Sequence, residues 1–420
     1  MMKWLLDRKN YVIFYVIGYL VRGIIYHFFP LINEIMTAIT ILWPLLILGN
    51  EFFKKEKADR FQWSLFAFLV GATVSTLVNF NESTPDAWLS LWQIVSLFLL
   101  FSVSKYEEYE AMHTLYRRLA AAAAIVIVLL ASGSMFLLAC YSQNIVLPGN
   151  LASADKLFTY GHMGGELRFC GMFGYSADGG NLCALAFVLC LYLLEEKIIR
   201  PWMAAIGCVI LFVTIWFLDV RTTLVELGVV GLLLLYRFLS KKAYGKKAIA
   251  AMLGVMAVLV LAVFVLKKDA ILSMIQKIQS DPENTLRFLT TGRSIYWIVA
   301  WRGFLSHPLF GYGWINNTHM WRMYFDSHNL LFNLMFWTGL AGLVPLAVFT
   351  FHFLKRMVKT KPGWTMMAIL PAAVLTESMF DRAVLGTANT GCETSFFWLT
   401  LGFLTYYSGR KDKTDVSLIQ

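Results

Sequence analysis

The sequence predicts an all-α integral membrane protein, with twelve transmembrane helices and two large external loops containing interfacial helices. Three observations predict it. The 420-residue chain is 58% hydrophobic with a mean hydropathy of +0.63, more apolar than soluble domains, which sit near half. Its apolar residues gather into runs long enough to cross about 30 Å of hydrocarbon at 1.5 Å per residue. Its basic residues concentrate in alternate connections between those runs.

The runs are 11–29, 31–50, 61–80, 88–104, 119–141, 179–194, 202–219, 222–240, 248–266, 328–354, 364–381 and 392–409. The first carries Arg22, lacks a small-residue cleavage site and leads directly into the second. It is expected to stay as a span rather than be cleaved as a signal peptide. No internal repeat and no linker divides the chain, so residues 1–420 read as a single polytopic domain.

With the N-terminus inside, the internal segments hold Lys3, Arg8 and Lys9, then Lys54 to Arg60, then Lys105, Arg117 and Arg118. They continue with Lys197 and Arg200, the cluster from Arg237 to Lys247, Lys355 to Lys361, and Arg410 to Lys413. The short external loops hold only Arg221 and Arg382. This positive-inside pattern predicts a multi-pass protein of a bacterial cytoplasmic membrane with both termini cytoplasmic. The net charge of +10 then reports topology and contact with anionic membrane lipids, and no nucleic-acid partner is expected. Six cysteines form no CxxC pair and lie mostly inside spans, so neither a disulfide nor a zinc site is expected.

Two external connections are long, 142–178 and 267–327, and long loops in compact membrane proteins usually carry function. In the second, "AILSMIQKI" puts Leu272, Ile275 and Ile278 on one helical face, as an interfacial helix would. "GRSIYWIVAWRGFLSHP" places Trp297, Trp301 and Phe304 at helical spacing behind Arg293, and Pro308 ends it before "FGYG" turns the chain.

"SHNLLFNLMFWTGLAGLVPLAVFTFHF" then raises the functional question, because a span of this length does not require His328 and Asn329 at its mouth. Arg168, Arg221, Arg293 and His328 all fall on the external side, where basic residues are otherwise sparse. Singly, each arginine reads first as a lipid anchor and the histidine as a cap. Together they suit pyrophosphate chemistry. Arginine is always charged and its planar fork grips two oxyanions, while histidine is readily tuned to take a proton near neutral pH. The remaining carboxylates are expected to be scattered among the loops, with only Arg22 deep in the bilayer. Tyr160, Trp314, Trp321 and Tyr324 read as external aromatics, either stacked on sugars or placed in the interfacial belt.

Spacing sharpens this. Arg168 precedes Gly179 by ten intervening residues in "RFCGMFGYSADG", and His328 precedes Gly339 by ten in "HNLLFNLMFWTG". With "GRSIYWIVAWRGFLSHPLFGYG" upstream of the histidine, these patterns resemble the O-antigen ligase and O-antigen (Wzy-type) polymerase superfamily, most strongly over 287–345. The resemblance implies a membrane glycosyltransferase acting on glycans carried by undecaprenyl pyrophosphate, with a flippase and a chain-length regulator as protein partners. Carried over by position, Arg168 and His328 match the functional residues of the two large loops. Arg221 in "DVRTT" resembles the family's SRG stretch, although Val220 and Thr222 replace its serine and glycine; Arg293 matches an arginine before the interfacial helix. Either Arg221 or Arg293 would be the second phosphate ligand.

The expected mechanism is a single inverting displacement that needs no cofactor and no metal. The arginines hold the pyrophosphate, His328 deprotonates the acceptor, and Asn329, Ser327 and Asp326 orient the histidine or the sugar. No DxD or HExxH pattern is present. Polymerase is the first expectation and ligase the alternative. A flippase of lipid-linked sugars is a rival from another class, which would place its charges near the bilayer midplane within repeated halves.

Overall fold

The computed structural model describes residues 6–25, 30–53, 57–80, 85–147, 151–160, 167–173, 175–240, 268–290, 292–314, 317–318, 323–324, 327–360, 366–379 and 391–407. Fifteen α-helices, two single-turn 3-10 helices (Gly171–Phe173 and Pro282–Asn284) and two short antiparallel hairpins are described. They run α1 (Arg8–Ile25), α2 (Pro30–Phe53), α3 (Arg60–Val78), α4 (Pro85–Tyr106) and α5 (Tyr109–Ser142), then α6 (Ala154–Leu157) and the hairpin β1 (Phe158–Tyr160) with β2 (Leu167–Phe169). Next come α7 (Ser176–Glu195), α8 (Pro201–Leu218), α9 (Arg221–Ser240), α10 (Lys268–Ser280), α11 (Thr285–Leu289) and α12 (Arg293–Ser306). The hairpin β3 (Asn317–Thr318) with β4 (Met323–Tyr324) precedes α13 (Leu330–Thr360), α14 (Met366–Ser378) and α15 (Gly391–Tyr407).

Among the described residues, six helices are long and apolar enough to cross a membrane: α3, most of α4, α5, α7, α8 and α13. The expected spans 11–29, 31–50, 222–240, 364–381 and 392–409 coincide with α1, α2, α9, α14 and α15, while 248–266 lies outside the described residues. The described residues are thus consistent with an all-α membrane protein, and the expected count of twelve spans is not confirmed among them. α5 has 34 residues, about 51 Å at 1.5 Å per residue, so its first turns extend beyond the hydrocarbon. That accounts for Glu110, Arg117 and Arg118 at its start.

The helix starts follow local chemistry. Asp59 caps α3 by accepting from Phe61 N and Gln62 N, while the Gln62 side chain accepts from Asp59 N at 3.1 Å, a reciprocal capping box. Pro201 opens α8, where its missing N–H is not needed.

Hydrogen bonds and ion pairs sort the helix termini into two ends. At the basic end, Lys9 pairs with Glu107 at 3.0 Å, Arg8 lies over Tyr106, and Lys105 donates to Gln62 Oε1 at 2.6 Å. There too Arg237 of α9 pairs with Glu195 of α7, His113 and Arg117 approach Glu196, and the Tyr407 hydroxyl donates to the Glu107 carbonyl. The opposite end gathers the start of α7, α9 and α13 and the close of α3, α5 and α14. The interior between them is aromatic, with Phe101, Phe349 and Trp398 in mutual ring contact and the Tyr116 hydroxyl 2.8 Å from Thr400 Oγ1.

Candidate functional site

His328 occupies the turn into α13 with φ at +52°. The left-handed region costs a non-glycine residue about 1–3 kcal/mol and persists only where neighbours over-determine it. Both neighbours do so. Ser327 is fully buried; its N–H donates to Asn333 Oδ1 at 2.7 Å and its Oγ lies 2.7 Å from the same oxygen. Asn329 caps α13, its Oδ1 accepting from Leu331 N at 3.0 Å and Phe332 N at 3.1 Å, while its Nδ2 donates to the Met379 carbonyl at 2.8 Å. The amide of Asn329 is thus engaged on both sides, and it positions His328 through the backbone.

Helix α12 supplies the other wall. Gly292 at φ +85° turns the chain into Arg293, the half-buried first residue of the helix. One turn on, Trp297 Nε1 donates to the Ser327 carbonyl at 3.0 Å and its ring stacks on Phe332. Tyr296 presents its ring edge-on to His328 at 6.3 Å. Helix α12 and the turn carrying the histidine therefore pack as one unit.

The ten-residue spacing to Gly339 has a structural meaning. Gly339 adopts φ 57° and ψ −150°, a region essentially reserved for glycine, and breaks α13 there, so the expected single run 328–354 is kinked. The segment after α12 docks into the break. Leu340 N donates to the Pro308 carbonyl and Ala341 N to the Leu309 carbonyl, while Tyr312 N and Gly313 N donate to the Phe336 and Trp337 carbonyls. A Cβ on Gly339 would stand 2.6 Å from the Pro308 oxygen. From α3, Ser75 Oγ bonds the Phe310 and Trp337 carbonyls, and Asn79 Nδ2 reaches the Gly311 carbonyl at 3.3 Å. Gly179 likewise marks a close approach, its Cβ position falling 2.8 Å from the Phe173 ring.

Arg168 stands exposed on β2, opposite Thr159. Its strand is anchored behind it, since Cys170 N donates to the Leu157 carbonyl at 2.8 Å and Met172 N to Ser134 Oγ of α5 at 2.9 Å. Arg221 is the exposed first residue of α9, following Asp219 at φ +52°. Val220 and Thr222, which replace the serine and glycine expected there, are both buried.

A polar bridge that the sequence reading missed joins Arg221's helix to the histidine. Thr223 Oγ1 donates to Asn181 Oδ1 of α7 at 3.2 Å, and Asn181 Nδ2 donates to Glu377 Oε1 of α14 at 2.6 Å. All three are buried. Two residues beyond Glu377 is Met379, whose carbonyl holds Asn329. Glu226 lies one turn below Thr223 on the same face of α9, only 2% exposed, and Glu393 on α15 is buried too. The carboxylates are therefore not confined to loops: three lie buried in helices, and the discoverable signal was their position inside predicted spans.

Trp314 corrects a second expectation. It is fully buried, 5.3 Å from the Trp337 ring, with its backbone N–H donating to Thr76 Oγ1 at 3.2 Å and its indole Nε1 to Ser90 Oγ at 3.4 Å, so it stacks on no sugar. Trp321 and Asp326 lie outside the described residues. Tyr160 and Tyr324 fall on β1 and β4, and Arg22 within α1.

The arrangement packs the helix that begins at Arg293 against the turn that carries His328, ties Arg221's helix to that turn, and puts Arg168 at the same end of the bundle. The stretch from α8 into α13 carries the similarity to known proteins. Residues 206–347 match the O-antigen ligase family. The match supports the resemblance to the O-antigen ligase and polymerase superfamily, and it spans Arg221, Arg293, His328 and Gly339. The family suggests a glycosyltransferase-like enzyme in a multi-pass membrane protein. Comparison with curated proteins and comparison with solved structures found no match.

Proposed function

We propose that the protein polymerises undecaprenyl-pyrophosphate-linked oligosaccharide repeats on the outer face of a bacterial cytoplasmic membrane, for a surface polysaccharide. The observation that carries this is His328, strained at positive φ between two buried, hydrogen-bonded residues, at the end of the bundle that also holds Arg168, Arg221 and Arg293. The arginines bind the pyrophosphate and stabilise its charge as it departs. His328 takes the acceptor hydroxyl's proton while that oxygen attacks the anomeric carbon, in one displacement with inversion. The basic end then faces the cytoplasm, and the histidine end faces the arriving lipid-linked glycan.

The ligase reading, in which the glycan passes to a different acceptor, is favoured by the description of the matched family. One experiment separates them. Purified protein is given undecaprenyl-pyrophosphate-linked repeats, and the products are sized. A ladder from that substrate alone supports the polymerase. Product only after a second acceptor is added supports the ligase, and no glycan transfer under either condition refutes both.

A further inference from the structure

At the basic end, away from His328, a cavity of about 710 Å³ opens between α1 and α5, a size typical of small-ligand pockets. Two stripes line it, each stepping by four residues, the spacing that stacks side chains on one helix face. On α5 the stripe is Glu110, Thr114, Arg118 and Ala122; on α1 it continues inward through Ile13 and Ile17. The mouth is polar and the depth is apolar.

Both signs of charge meet at that mouth. Asp7 and Glu110 supply carboxylates. Lys9 also lines the cavity but pairs with Glu107 at 3.0 Å, so Arg118, exposed on α5, supplies the positive charge. Helical side chains lean toward the helix N-terminus, which carries the Arg118 guanidinium up toward Thr114, with Glu110 one turn further out. A solvated cleft has no use for Ile13, Ile17 and Ala122 beneath it. A bare acyl chain has no use for opposed charges above. A phosphate set inside a primary ammonium, with a hydrocarbon tail below, satisfies both.

We infer that this groove binds a phospholipid with an ethanolamine-type headgroup, drawn from the leaflet at the basic end. Its phosphate meets Arg118 and Thr114, its ammonium meets Glu110 and Asp7, and one acyl chain follows Ile13, Ile17 and Ala122. The site is independent of the glycosyl-transfer reading.

Native mass spectrometry of the full-length protein, titrated with phosphatidylethanolamine or phosphatidylglycerol, tests this. One phosphatidylethanolamine should be retained about tenfold more tightly than phosphatidylglycerol. Glu110→Gln, a change at an exposed residue, should bring the two lipids within about twofold by removing one of the ammonium's two carboxylate partners. Ala122→Trp should fill the apolar depth and abolish retention in protein that still elutes as a single folded species. Equal retention of both lipids by the wild type overturns the assignment, as does unchanged retention in Ala122→Trp or unchanged preference in Glu110→Gln.

Discussion

Asn181→Leu tests the polar bridge between Arg221's helix and the histidine. Leucine keeps the approximate volume and removes two hydrogen bonds, that from Thr223 Oγ1 at 3.2 Å and that to Glu377 Oε1 at 2.6 Å. Asn181 is 2% and Glu377 4% exposed, and Thr223 is fully buried, so water cannot replace the lost partners. Removing one partner of a buried polar group costs up to about 1–3 kcal/mol in a soluble protein, which for two lost bonds would reach at most about 2–6 kcal/mol. Within a bilayer the unfolded reference state keeps polar partners, and interhelical bonds there average about 0.6 kcal/mol with a maximum near 1.7. With α7, α9 and α14 embedded in the bilayer, as the sequence leads one to expect, the expected loss is about 1–3 kcal/mol. Thermal unfolding in detergent reads it. The double variant Asn181→Leu with Glu377→Leu should recover part of the loss, because an apolar pair needs no partner, with a coupling of about 0.5–3 kcal/mol. Strictly additive losses would refute the bridge as an energetic unit.

Three further outcomes follow from the geometry. Gly339→Ala should destabilise by about 2–5 kcal/mol, from the glycine-only backbone and a Cβ 2.6 Å from the Pro308 oxygen; a midpoint within error of wild type in thermal unfolding would count against the docked 308–313 segment. Trp314→Ala should cost about 3–5 kcal/mol in the same assay while leaving the KM of folded protein unchanged, whereas a raised KM at unchanged stability would restore it as a sugar platform. Arg168→Lys should lose most turnover at equal abundance, because a point charge cannot reproduce a bidentate grip; wild-type rates would mark Arg168 as a lipid anchor.

Much of this was legible in the sequence, and the remainder was hidden for physical reasons. Run length located the helices, since α3, α5, α7 and α8 each need only their own apolar residues to declare themselves. The turn chemistry of Gly292, Arg293 and Pro308 bounded α12, and the ten-residue spacing picked out Gly339 without revealing why it matters. That reason lies in a segment nearly thirty residues upstream, whose carbonyls occupy the space a side chain would need. The bridge was invisible because Asn181 and Glu377 are 196 residues apart, and no periodicity records a pairing between helices. Trp314 misled because a tryptophan near a membrane-length run looks the same in a belt as in a core. Asn329 was noticed, but its side chain serves the helix start and Met379 before it can serve a substrate.

The central claim is that His328 is the proton acceptor, and turnover of His328→Gln against pH tests it most directly, with folded protein quantified in each sample. Glutamine donates a hydrogen bond but takes no proton at neutral pH, and it meets the same positive-φ strain as histidine. Turnover should fall about 10² to 10⁴-fold, the usual worth of a positioned base, with far less change in the binding of lipid-linked substrate, which the arginines hold. Near-normal turnover in the glutamine variant would contradict the account and reduce His328 to a residue that shapes the start of α13.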